Sequence, residues 1–559
     1  MSERPWLAAY PEGVPADIDP SSYHSLVALM EQAFKAYAPR SAYSYMGKDI
    51  SFGDVDSQSQ AFAAYFQSLG MQPGDRVAIM MPNCLQYPIA LFGVLRAGLT
   101  VVNVNPMYTP RELKHQLVDS GTSVLLVLDN FGKTVQDVIA QTSVKQVITT
   151  GLGDMLGFPK GALVNFVLKH VKKMVPDYAL PGTVRFKETL AKGRSHTLPT
   201  IDIDREDIAF LQYTGGTTGV AKGAMLTHGN LVANMQQAGA WLGTGLNYGH
   251  EIIITALPLY HIFALTANGL VFMRLGGLNY LISNPRDMPG FVKELQNVRF
   301  TAITGVNTLF NGLLNTPGFE KVDFSSLKMT LGGGMAVQRA VAERWKKATG
   351  VTLVEAYGLT ETSPAACINP MNLKDYNGSI GLPISSTDAC LKDEDGALVP
   401  LGEVGELCIK GPQVMKGYWQ KPEETEKVLD DEGWLHTGDM ARMDEEGFFY
   451  IVDRKKDMIL VSGFNVYPNE VEDVIAGMEG VLEVAAVGVP DERSGEAVKV
   501  FIVKKDPSLT ADQVKAYCRE NLTGYKQPRQ VEFRQELPKT NVGKILRKEL
   551  RDQAAPPAA

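Results

Sequence analysis

Short apolar runs alternate with longer stretches of helical periodicity along most of the chain. In the first clear example, residues 76–81 form an apolar run that Pro82 and Asn83 close, and residues 85–97 then show helical spacing up to Gly98. Alternation of this kind is typical of parallel βαβ units. The same criterion predicts further strands at 123–128, 208–213, 252–257, 328–331 and 352–356. We therefore predict an α/β protein.

Several of these predicted strands lead directly into glycine-rich loops. Ligands of open α/β sheets bind beyond the carboxyl ends of the strands, so we expect a nucleotide near these loops. At 402–417 the pattern changes to short strands separated by glycine, which predicts a small β subdomain. Beyond Ile451 a charged run at 453–457 leads into a region of mixed α+β character. We therefore place a domain boundary between residues 452 and 453.

The composition is that of an ordinary globular protein, with 45% hydrophobic and 21% charged residues among 559. A chain of this length exceeds one hydrophobic core, so we expect two or more domains. The formal net charge of -8 argues against a nucleic-acid-binding protein, which needs clustered Lys and Arg. The five cysteines include no C-x-x-C pair. Neither a signal peptide nor a run of about 20 apolar residues is found, and we expect a reducing, cytoplasmic location.

Residues 213–223 have the sequence YTGGTTGVAKG and follow one of the predicted strands. Backbone N–H groups, threonine hydroxyls and the ammonium group of Lys222 are concentrated in this loop, and that chemistry suits a polyphosphate. The loop is not a Walker A motif, because Ala221 precedes Lys222 and Gly223 follows it. A turn that binds no ligand is the alternative.

This loop resembles the phosphate loop of the adenylate-forming superfamily, which includes acyl-CoA synthetases, peptide-synthetase adenylation domains and luciferases. Three further motifs follow in the family's order: YGLTETSP at 357–364, GWLHTGD at 433–439 and PKTNVGK at 538–544. The run 432–456 is similar to the signature of fatty acyl-CoA synthetases, and MPN at 81–83 resembles the bacterial long-chain-fatty-acid–CoA ligases in particular. Four motifs in order are far more specific than any one of them.

The resemblance implies a large N-terminal domain (1–452) of two α/β subdomains plus a small β subdomain, which binds ATP and the acyl group. A small mobile α+β C-terminal domain (453–559) follows and carries the catalytic lysine. The implied reaction converts a fatty acid, ATP and coenzyme A to acyl-CoA, AMP and diphosphate through an acyl-adenylate, with Mg²⁺ as cofactor. Because two anions meet in the first step, the site needs cations and backbone donors at the phosphates.

By resemblance, each part of this reaction falls on particular residues. The β- and γ-phosphates are assigned to Tyr213, Thr214, Gly215, Gly216, Thr217, Thr218, Gly219 and Lys222. Magnesium is assigned to Glu361 and Thr217, the α-phosphate to Thr360, adenine to Gly333 and Tyr357, and ribose to Asp439 and Arg454. The adenylation step is assigned to Lys544, the hinge to Lys456, the pantetheine path to Gly463, and the acyl pocket to His261 and Trp241.

Considered singly, several of these residues have ordinary structural alternatives. Lys544 is one cation among several, and Glu361 would suit any helix N-terminus. His261 could equally be a packed core residue. The apolar residues 262–270 and Trp241 suit an ordinary core as well as they suit an acyl channel.

Residues 155–175 combine an apolar helical stripe with positive charge. The stripe consists of Leu163, Phe166, Val167, Val171, Met174 and Val175, and the charges are Lys160, Lys169, Lys172 and Lys173. This pattern predicts either peripheral docking on the inner membrane surface or an amphipathic helix packed on the protein.

Two alternative functions remain at this point. Within the superfamily, the alternative is a medium-chain or aryl carboxylate–CoA ligase. In another class, the chain would be a non-catalytic nucleotide-dependent component of lipid binding or uptake, although the presence of Lys544, Glu361 and Asp439 together favours catalysis. The expected partners are a fatty acid, ATP and coenzyme A, and a homodimer is left open.

Overall fold

The structure is a computed structural model that describes residues 4–214, 221–491 and 493–554. Its strands are β1 (Ser41–Tyr45), β2 (Lys48–Ser51), β3 (Arg76–Met80), β4 (Thr100–Asn103), β5 (Val124–Leu128), β6 (Gln146–Thr150), β7 (Val184–Arg185), β8 (Ile208–Thr214), β9 (Lys222–Thr227), β10 (Ile252–Thr255), β11 (Leu278–Leu281), β12 (Ala302–Gly305), β13 (Met329–Gly333), β14 (Leu353–Gly358), β15 (Ala365–Ile368), β16 (Leu382–Pro383), β17 (Asp388–Lys392), β18 (Gly405–Lys410), β19 (Leu435–Met443), β20 (Phe449–Arg454), β21 (Ile459–Val461), β22 (Phe464–Val466), β23 (Val481–Asp491), β24 (Gly495–Lys504) and β25 (Gln530–Arg534).

The α-helices are α1 (Leu26–Tyr37), α2 (Phe52–Ser68), α3 (Gln86–Arg96), α4 (Pro110–Ser120), α5 (Gly132–Gln136), α6 (Lys160–Phe166), α7 (Phe186–Gly193), α8 (His228–Leu242), α9 (Ile262–Ala264), α10 (Val271–Leu275), α11 (Met288–Gln296), α12 (Asn307–Leu314), α13 (Arg339–Thr349), α14 (Pro422–Glu426), α15 (Pro468–Ala476), α16 (Ala511–Asn521) and α17 (Arg547–Ala554). Two π-helical segments, Val167–Val171 and Leu265–Leu270, continue α6 and α9.

Two largely parallel sheets account for most of the N-terminal part. One has the order β7-β6-β5-β3-β4-β8-β9, parallel except for β9. The other has the order β16-β15-β14-β13-β12-β10-β11-β1-β2, with antiparallel strands at both edges. Helix α3 is buried along its whole length and shares one hydrophobic core with Val77 of the first sheet and Ile254 of the second. The two sheets are therefore halves of one packed unit.

Two smaller sheets follow along the chain. The first is antiparallel with the order β17-β18-β19-β20, and the second has the order β22-β21-β24-β23 with β25 parallel to β24. This architecture confirms the predicted α/β class with a large N-terminal part, a small β subdomain and a smaller C-terminal part. The boundary that we predicted between residues 452 and 453 lies inside β20 (Phe449–Arg454). It remains a prediction.

Local sequence signals explain where individual elements begin and end. Helix α4 begins with a capping box, in which the Thr109 side chain accepts from the backbone of Glu112 and the Glu112 side chain accepts from the backbone of Thr109. Pro110 occupies the first helical turn, and Gly121 ends the helix in the left-handed conformation at φ +60°. The helix is thus specified at both ends by its own residues.

One buried asparagine joins the ends of strands from the two large sheets. Asn83, which follows β3, donates through Nδ2 to the carbonyls of Thr255 (2.9 Å) and Leu257 (3.0 Å) and accepts from the N–H of Leu259 (2.8 Å). Tyr87 donates to the Leu259 carbonyl (2.9 Å). These bonds hold the loop that leads from β10 to His261, so the first sheet positions a loop of the second.

The segment 158–174 does not pack its apolar stripe against the protein. Five large apolar side chains of this segment are exposed, namely Phe158, Leu163, Phe166, Val171 and Met174. Helix α6 instead packs through Gly161, whose backbone lies so close to Gly153 that a Cβ at Gly161 would collide with the Gly153 carbonyl. In the ranges that the structure describes, every helix is too short or too polar to cross a membrane.

Candidate active site

A cavity lies where strands β13 and β14 end and the C-terminal part of the chain meets them. Its volume is about 80 Å³, which is smaller than the range of about 300–1,000 Å³ typical of small-molecule sites. Its lining residues are Ala238, Leu242, His261, Ile262, Phe263, Thr266, Ala267, Leu331, Gly333, Gly334, Ala356, Tyr357, Gly358, Leu359, Thr360, Pro364, Ala365, Ile368 and Lys544. Polar groups from three distant sequence motifs therefore share one cavity with an apolar wall.

Two glycines of this wall cannot be replaced without strain. A Cβ at Gly333 would lie 3.0 Å from the carbonyl oxygen of Ala356 and 3.2 Å from the ring of Phe263. Gly334 has a φ of +77°, and a Cβ there would lie 3.4 Å from Cε of Lys544. Close packing against neighbouring groups thus favours glycine at the end of β13, where the main chain itself forms part of the cavity wall.

Asp439 forms a polar corner beside this wall. Its strand β19 pairs with β20 so that Asp439 lies opposite Arg454. One carboxylate oxygen accepts from the hydroxyl of Tyr357 (2.6 Å), and the other lies 3.2 Å from Nε of Arg454. Burial and the negative charge of Asp439 raise the pKa of Tyr357 well above its usual value, so this phenol remains a donor.

Lys544 reaches the cavity from the C-terminal part. The turn that carries it is held by a bond from the Lys544 N–H to Oγ1 of Thr540 (3.1 Å), and the hydroxyl of Thr308 donates to the carbonyl of Gly543 (2.9 Å). Burial, assisted by the positive charge of Arg454, lowers the pKa of Lys544 to about 8. Within the described ranges no carboxylate lies at salt-bridge distance from this partly buried ammonium group, which is therefore suited to receive an anion.

His261 faces the same cavity. Its Nδ1 accepts from the N–H of Phe263 (3.3 Å) and thereby caps the start of α9. Burial and then the positive charge of Lys544 lower the pKa of His261 to about 3, so the imidazole is neutral at physiological pH. The prediction that His261 faces a substrate cavity agrees with this position, and its contact with substrate remains a prediction.

Glu361 lies in the short 3-10 helix Thr360–Thr362, which contacts strand β9. Its Oε1 accepts from the hydroxyl of Tyr418 (2.7 Å). Among the described residues its other oxygen accepts no hydrogen bond, so a donor or a cation can be added there. Within these same ranges no group of three or more His, Cys, Asp or Glu side chains is spaced to hold a metal ion. A metal at Glu361 would therefore need most of its ligands from phosphate and water, as Mg²⁺ usually does.

The glycine loop is described only at its two ends. Thr214 at the end of β8 lies opposite Lys222 at the start of β9, and the Lys222 ammonium lies 2.6 Å from Oε2 of Glu424. The hydroxyl of Tyr213 donates to Asp119 of α4 (2.7 Å), so any phosphate contact of Tyr213 must come from its main chain. The predicted positions Gly215, Gly216, Thr217, Thr218 and Gly219 lie outside the described residues.

Three predicted positions lie away from the cavity. Trp241 packs edge-on against Tyr10, with ring centroids 5.0 Å apart, and belongs to the core. Trp241 does not line this cavity, and its assignment to an acyl pocket remains a prediction. Helix α8 is buried on nearly all sides, and it turns Ala238 and Leu242 to the cavity instead.

Gly463 and Lys456 are the other two predicted positions that lie away from the cavity. Gly463 (φ +84°) forms the exposed turn of the hairpin between β21 and β22. Lys456 lies in the turn between β20 and β21 and is exposed. The structure brings neither to the cavity, and their roles in the thiol path and the hinge remain predictions.

Three residues of the site act through other residues and carry no assignment from the sequence. Asn83 and Tyr87 hold the His261 loop, and Tyr418 touches both Glu361 and Lys222. Asn83 lies directly after a strand and within the MPN run at 81–83, but no local pattern assigned a role to any of these three residues.

Comparisons with known proteins agree with one another. The profile described as AMP-binding enzyme matches residues 30–419, and the profile described as AMP-binding enzyme C-terminal domain matches residues 470–544. A long-chain-fatty-acid–CoA ligase of Salmonella typhimurium is 60% identical over 550 residues, which cover 98% of each chain. A long-chain-fatty-acid–CoA ligase of Bacillus subtilis is 41% identical over 99% of this chain and 98% of its own.

Solved structures give the same fold. The ATP-bound MatB from Rhodopseudomonas palustris is 27% identical with a TM-score of 0.80, covering 94% of this chain and 98% of its own. The anthranilate–CoA ligase AuaEII in complex with anthranoyl-AMP has a TM-score of 0.85 at 24% identity, covering 96% of this chain and 99% of its own.

Proposed function

Because the chain belongs to the family of AMP-binding enzymes, we propose that it is a long-chain-fatty-acid–CoA ligase. It condenses a fatty acid with coenzyme A at the expense of ATP, with AMP and diphosphate as the other products. The observation that carries the proposal is the single cavity that joins Lys544, Thr360 and Gly333 to the apolar wall of Ala238 and Leu242. Close relatives bear the name of this activity over nearly their whole length.

In the first half-reaction, a carboxylate oxygen of the fatty acid attacks the α-phosphorus of ATP, and diphosphate leaves. We assign to Lys544 the stabilisation of negative charge as the carboxylate and the α-phosphate approach. With a pKa of about 8, about nine tenths of this group is protonated at pH 7. Two entering anions raise that pKa, so the ammonium form is favoured when it is needed.

The nucleotide is held by groups around the same cavity. We assign the ribose hydroxyls to Asp439, whose carboxylate accepts hydrogen bonds, and the flat base to the glycine wall at Gly333 beside Tyr357. Thr360 is assigned to the α-phosphate, and Thr214 and Lys222 to the β- and γ-phosphates. Each of these assignments is supported by the position of the residue near the cavity and can be tested by substituting that residue.

Mg²⁺ fits the donor set, and we propose that Glu361 holds it. The supporting observation is the oxygen of Glu361 that accepts no hydrogen bond within the described ranges. Bound there, the ion neutralises phosphate charge and polarises the reacting phosphate. The Glu361 carboxylate would contribute one ligand to the ion.

In the second half-reaction, the thiol of coenzyme A attacks the acyl carbonyl, and AMP leaves with its phosphate oxygen. Lys544 lies in the cavity while the hairpin of Gly463 lies outside it. We propose that the C-terminal part rotates about Lys456 so that this hairpin replaces Lys544 at the acyl carbonyl. One cavity then serves both half-reactions.

The activity is tested by measuring coenzyme A consumption and AMP release with ATP, Mg²⁺ and fatty acids of increasing length. We expect one AMP per acyl-CoA and the highest kcat/KM with long-chain acids. A maximum with medium-chain or aryl acids would assign the chain to that class of ligase instead. Nucleotide-dependent fatty acid binding without AMP release would support a non-catalytic lipid-binding component.

We further propose that the segment 158–174 docks on an anionic lipid surface. Its exposed side chains Phe158, Leu163 and Phe166 supply the apolar contact, and Lys169 and Lys172 supply positive charge. Docking would bring the enzyme to substrates that partition into membranes.

Vesicle sedimentation tests this docking. Replacing Leu163 and Phe166 with serine should reduce binding to vesicles that contain phosphatidylglycerol, while ligase activity on dispersed substrate is kept. The matched control replaces Leu398 and Leu401, which are also exposed (70% and 57%). Equal binding of both variants would contradict the proposal. A homodimer also remains a proposal, which sedimentation velocity tests directly.

A further inference from the structure

We propose that Tyr418 is a positioning residue for ATP binding, which sets the Glu361 carboxylate with its hydroxyl and the Lys222 ammonium with its ring. This inference rests on the proposed function, because Glu361 and Lys222 are there assigned to the metal and the phosphates.

Tyr418 contacts both charged groups directly. Its hydroxyl donates to Oε1 of Glu361 at 2.7 Å, and Nζ of Lys222 lies 4.7 Å from the centroid of its ring. The side chain is 6% exposed. Burial and then the charge of Glu361 raise the pKa of Tyr418 well above its usual value, so the phenol keeps its proton and acts only as a donor to this carboxylate.

The backbone around Tyr418 is fixed to the strand that leaves the phosphate loop. The N–H of Met225 donates to the carbonyl of Gly417 (2.8 Å), and the N–H of Trp419 donates to the carbonyl of Gly223 (2.8 Å). The segment thus extends the edge of the sheet beside β9 and places Tyr418 opposite Ala224. A tyrosine held at this edge has little freedom to move away from Lys222.

The same region is tied to the short helix of Glu361. The N–H of Met415 donates to the backbone carbonyl of Glu361 (2.8 Å), and the N–H of Tyr418 donates to Oγ1 of Thr425 (2.9 Å). Backbone and hydroxyl contacts therefore fix the distance between a carboxylate and a cation that are 139 residues apart in the sequence, from 222 to 361. Preorganised charges bind a polyphosphate without the cost of ordering them first.

The two partners of Lys222 differ in what ATP does to them. Glu424 holds the ammonium at 2.6 Å and also pairs with Lys427, whereas Tyr418 contacts the ammonium through its aromatic ring. An incoming phosphate competes with the Glu424 carboxylate, because both are anions that accept from the same cation. It does not compete with the aromatic face, so Tyr418 can retain its contact throughout binding.

Two substitutions separate the hydroxyl from the ring. Tyr418→Phe keeps the ring below Lys222 and removes only the bond to Glu361. Tyr418→Leu removes both contacts. Because we assign Glu361 to the metal, the hydroxyl should matter only when Mg²⁺ is present, while the ring should matter with or without it.

Tyr450→Phe is a matched control. The hydroxyl of Tyr450 also donates to a carboxylate, Asp444 (2.9 Å), and a cation, Arg442, lies 4.2 Å from the centroid of its ring. Tyr450 lies on β20, away from the assigned phosphate site. If the tyrosine hydroxyl acts only through protein stability, Tyr418→Phe and Tyr450→Phe should have the same effect on ATP binding.

The test is isothermal titration of ATP to the full-length protein, with Mg²⁺ and with EDTA, in the absence of fatty acid. We expect Tyr418→Phe to raise Kd of MgATP about tenfold, equivalent to about 1.4 kcal/mol, and to leave Kd of metal-free ATP unchanged. Tyr418→Leu should also weaken metal-free ATP about fivefold, equivalent to about 1 kcal/mol. Tyr450→Phe should change neither, and all variants should keep a Tm near that of the wild type.

Steady-state kinetics give a second readout, since KM for ATP should rise in Tyr418→Phe more than kcat falls. Wild-type Kd for MgATP in Tyr418→Phe, or equal weakening with and without Mg²⁺, would overturn the inference. If Tyr418→Leu does not fold, Tyr418→Phe alone decides the metal-dependent part. Failure of the wild-type protein to form acyl-CoA while the ATP-binding differences persist would count against the proposed function and not against this inference.

Discussion

Replacing Lys544 with methionine should stabilise the ligand-free protein and abolish acyl-adenylate formation. Methionine has a similar length and no charge, so it removes the buried ammonium without a large cavity. Burial lowers the pKa of Lys544 from 10.5 to about 8, which corresponds to about 3 kcal/mol at 1.36 kcal/mol per pH unit. The charged Lys544 side chain therefore lowers the free energy of unfolding by roughly this amount at pH 7.

The pH dependence follows from the direction of this pKa change. Below pH 8 the lysine is charged in both folded and unfolded protein, so the cost is fully present. Between pH 8 and 10.5 the folded protein loses its proton first, and the cost declines with rising pH. The stability gain of Lys544→Met should thus be about 3 kcal/mol at pH 7 and about 1 kcal/mol at pH 9.5.

Urea unfolding at the two pH values measures this difference, and half-reaction assays measure the loss of function. We expect the variant to lose fatty-acid-dependent diphosphate–ATP exchange and still to convert supplied acyl-AMP to acyl-CoA. Lys548→Met, at an exposed position on α17, is the control and should change neither property. Normal exchange in Lys544→Met, or a stability gain that does not shrink with pH, would refute this reasoning.

Three further predictions concern other parts of the site. Lys456→Pro should restrict the proposed hinge, because proline fixes φ. The N–H of Lys456 makes no backbone hydrogen bond within the described residues. We expect the variant to lose thioester formation and to keep diphosphate–ATP exchange, and equal loss of both half-reactions would contradict this prediction. Glu355, whose pKa burial raises to about 8, contributes stability that is lost as pH rises from about 4.5 to 8. The Tm of the wild type should consequently fall more between pH 6 and 9 than the Tm of Glu355→Gln. If Tm falls equally in both proteins over this pH range, the raised pKa of Glu355 is contradicted. Gly333→Ala should raise KM for ATP severalfold, because the added Cβ would lie 3.0 Å from a backbone oxygen. The control Gly243→Ala, whose Cβ would have nothing within 4 Å, should leave KM unchanged. A wild-type KM in Gly333→Ala would exclude close approach of the adenine base to Gly333.

Much of the strand and helix pattern could be predicted from periodicity alone. The predicted strand at 76–81 is β3 at Arg76–Met80, and the predicted helix at 85–97 is α3 at Gln86–Arg96. Such elements are specified locally, by alternating burial and by residues that end them. The boundary after Ile451 was less well specified, because β20 continues through it to Arg454.

The sequence did not show that Trp241 packs in the core, and this has a physical cause. Helix α8 is buried on nearly all faces, so its sequence pattern does not distinguish the face that lines a cavity from the faces that meet the core. The structure assigns the cavity to Ala238 and Leu242, which are one turn apart, and gives Trp241 to Tyr10.

In the segment 155–175, too, the sequence pattern did not determine which face of a helix is buried. Its periodicity predicted an amphipathic helix, but not whether the apolar face lies inward or outward. Close approach of the Gly161 and Gly153 backbones decides this, because helix α6 packs through its small residues and leaves Leu163 and Phe166 exposed.

The sequence by itself determined the α/β class, the motif residues and the family, because periodicity is local and the motifs are contiguous. Only the tertiary structure decided that Tyr418 joins Glu361 to Lys222, that Asn83 holds the His261 loop, and that Lys544 lies buried with a lowered pKa. Each of these depends on groups far apart along the chain, whose distances and burial are set by packing and leave no periodic signal in the sequence.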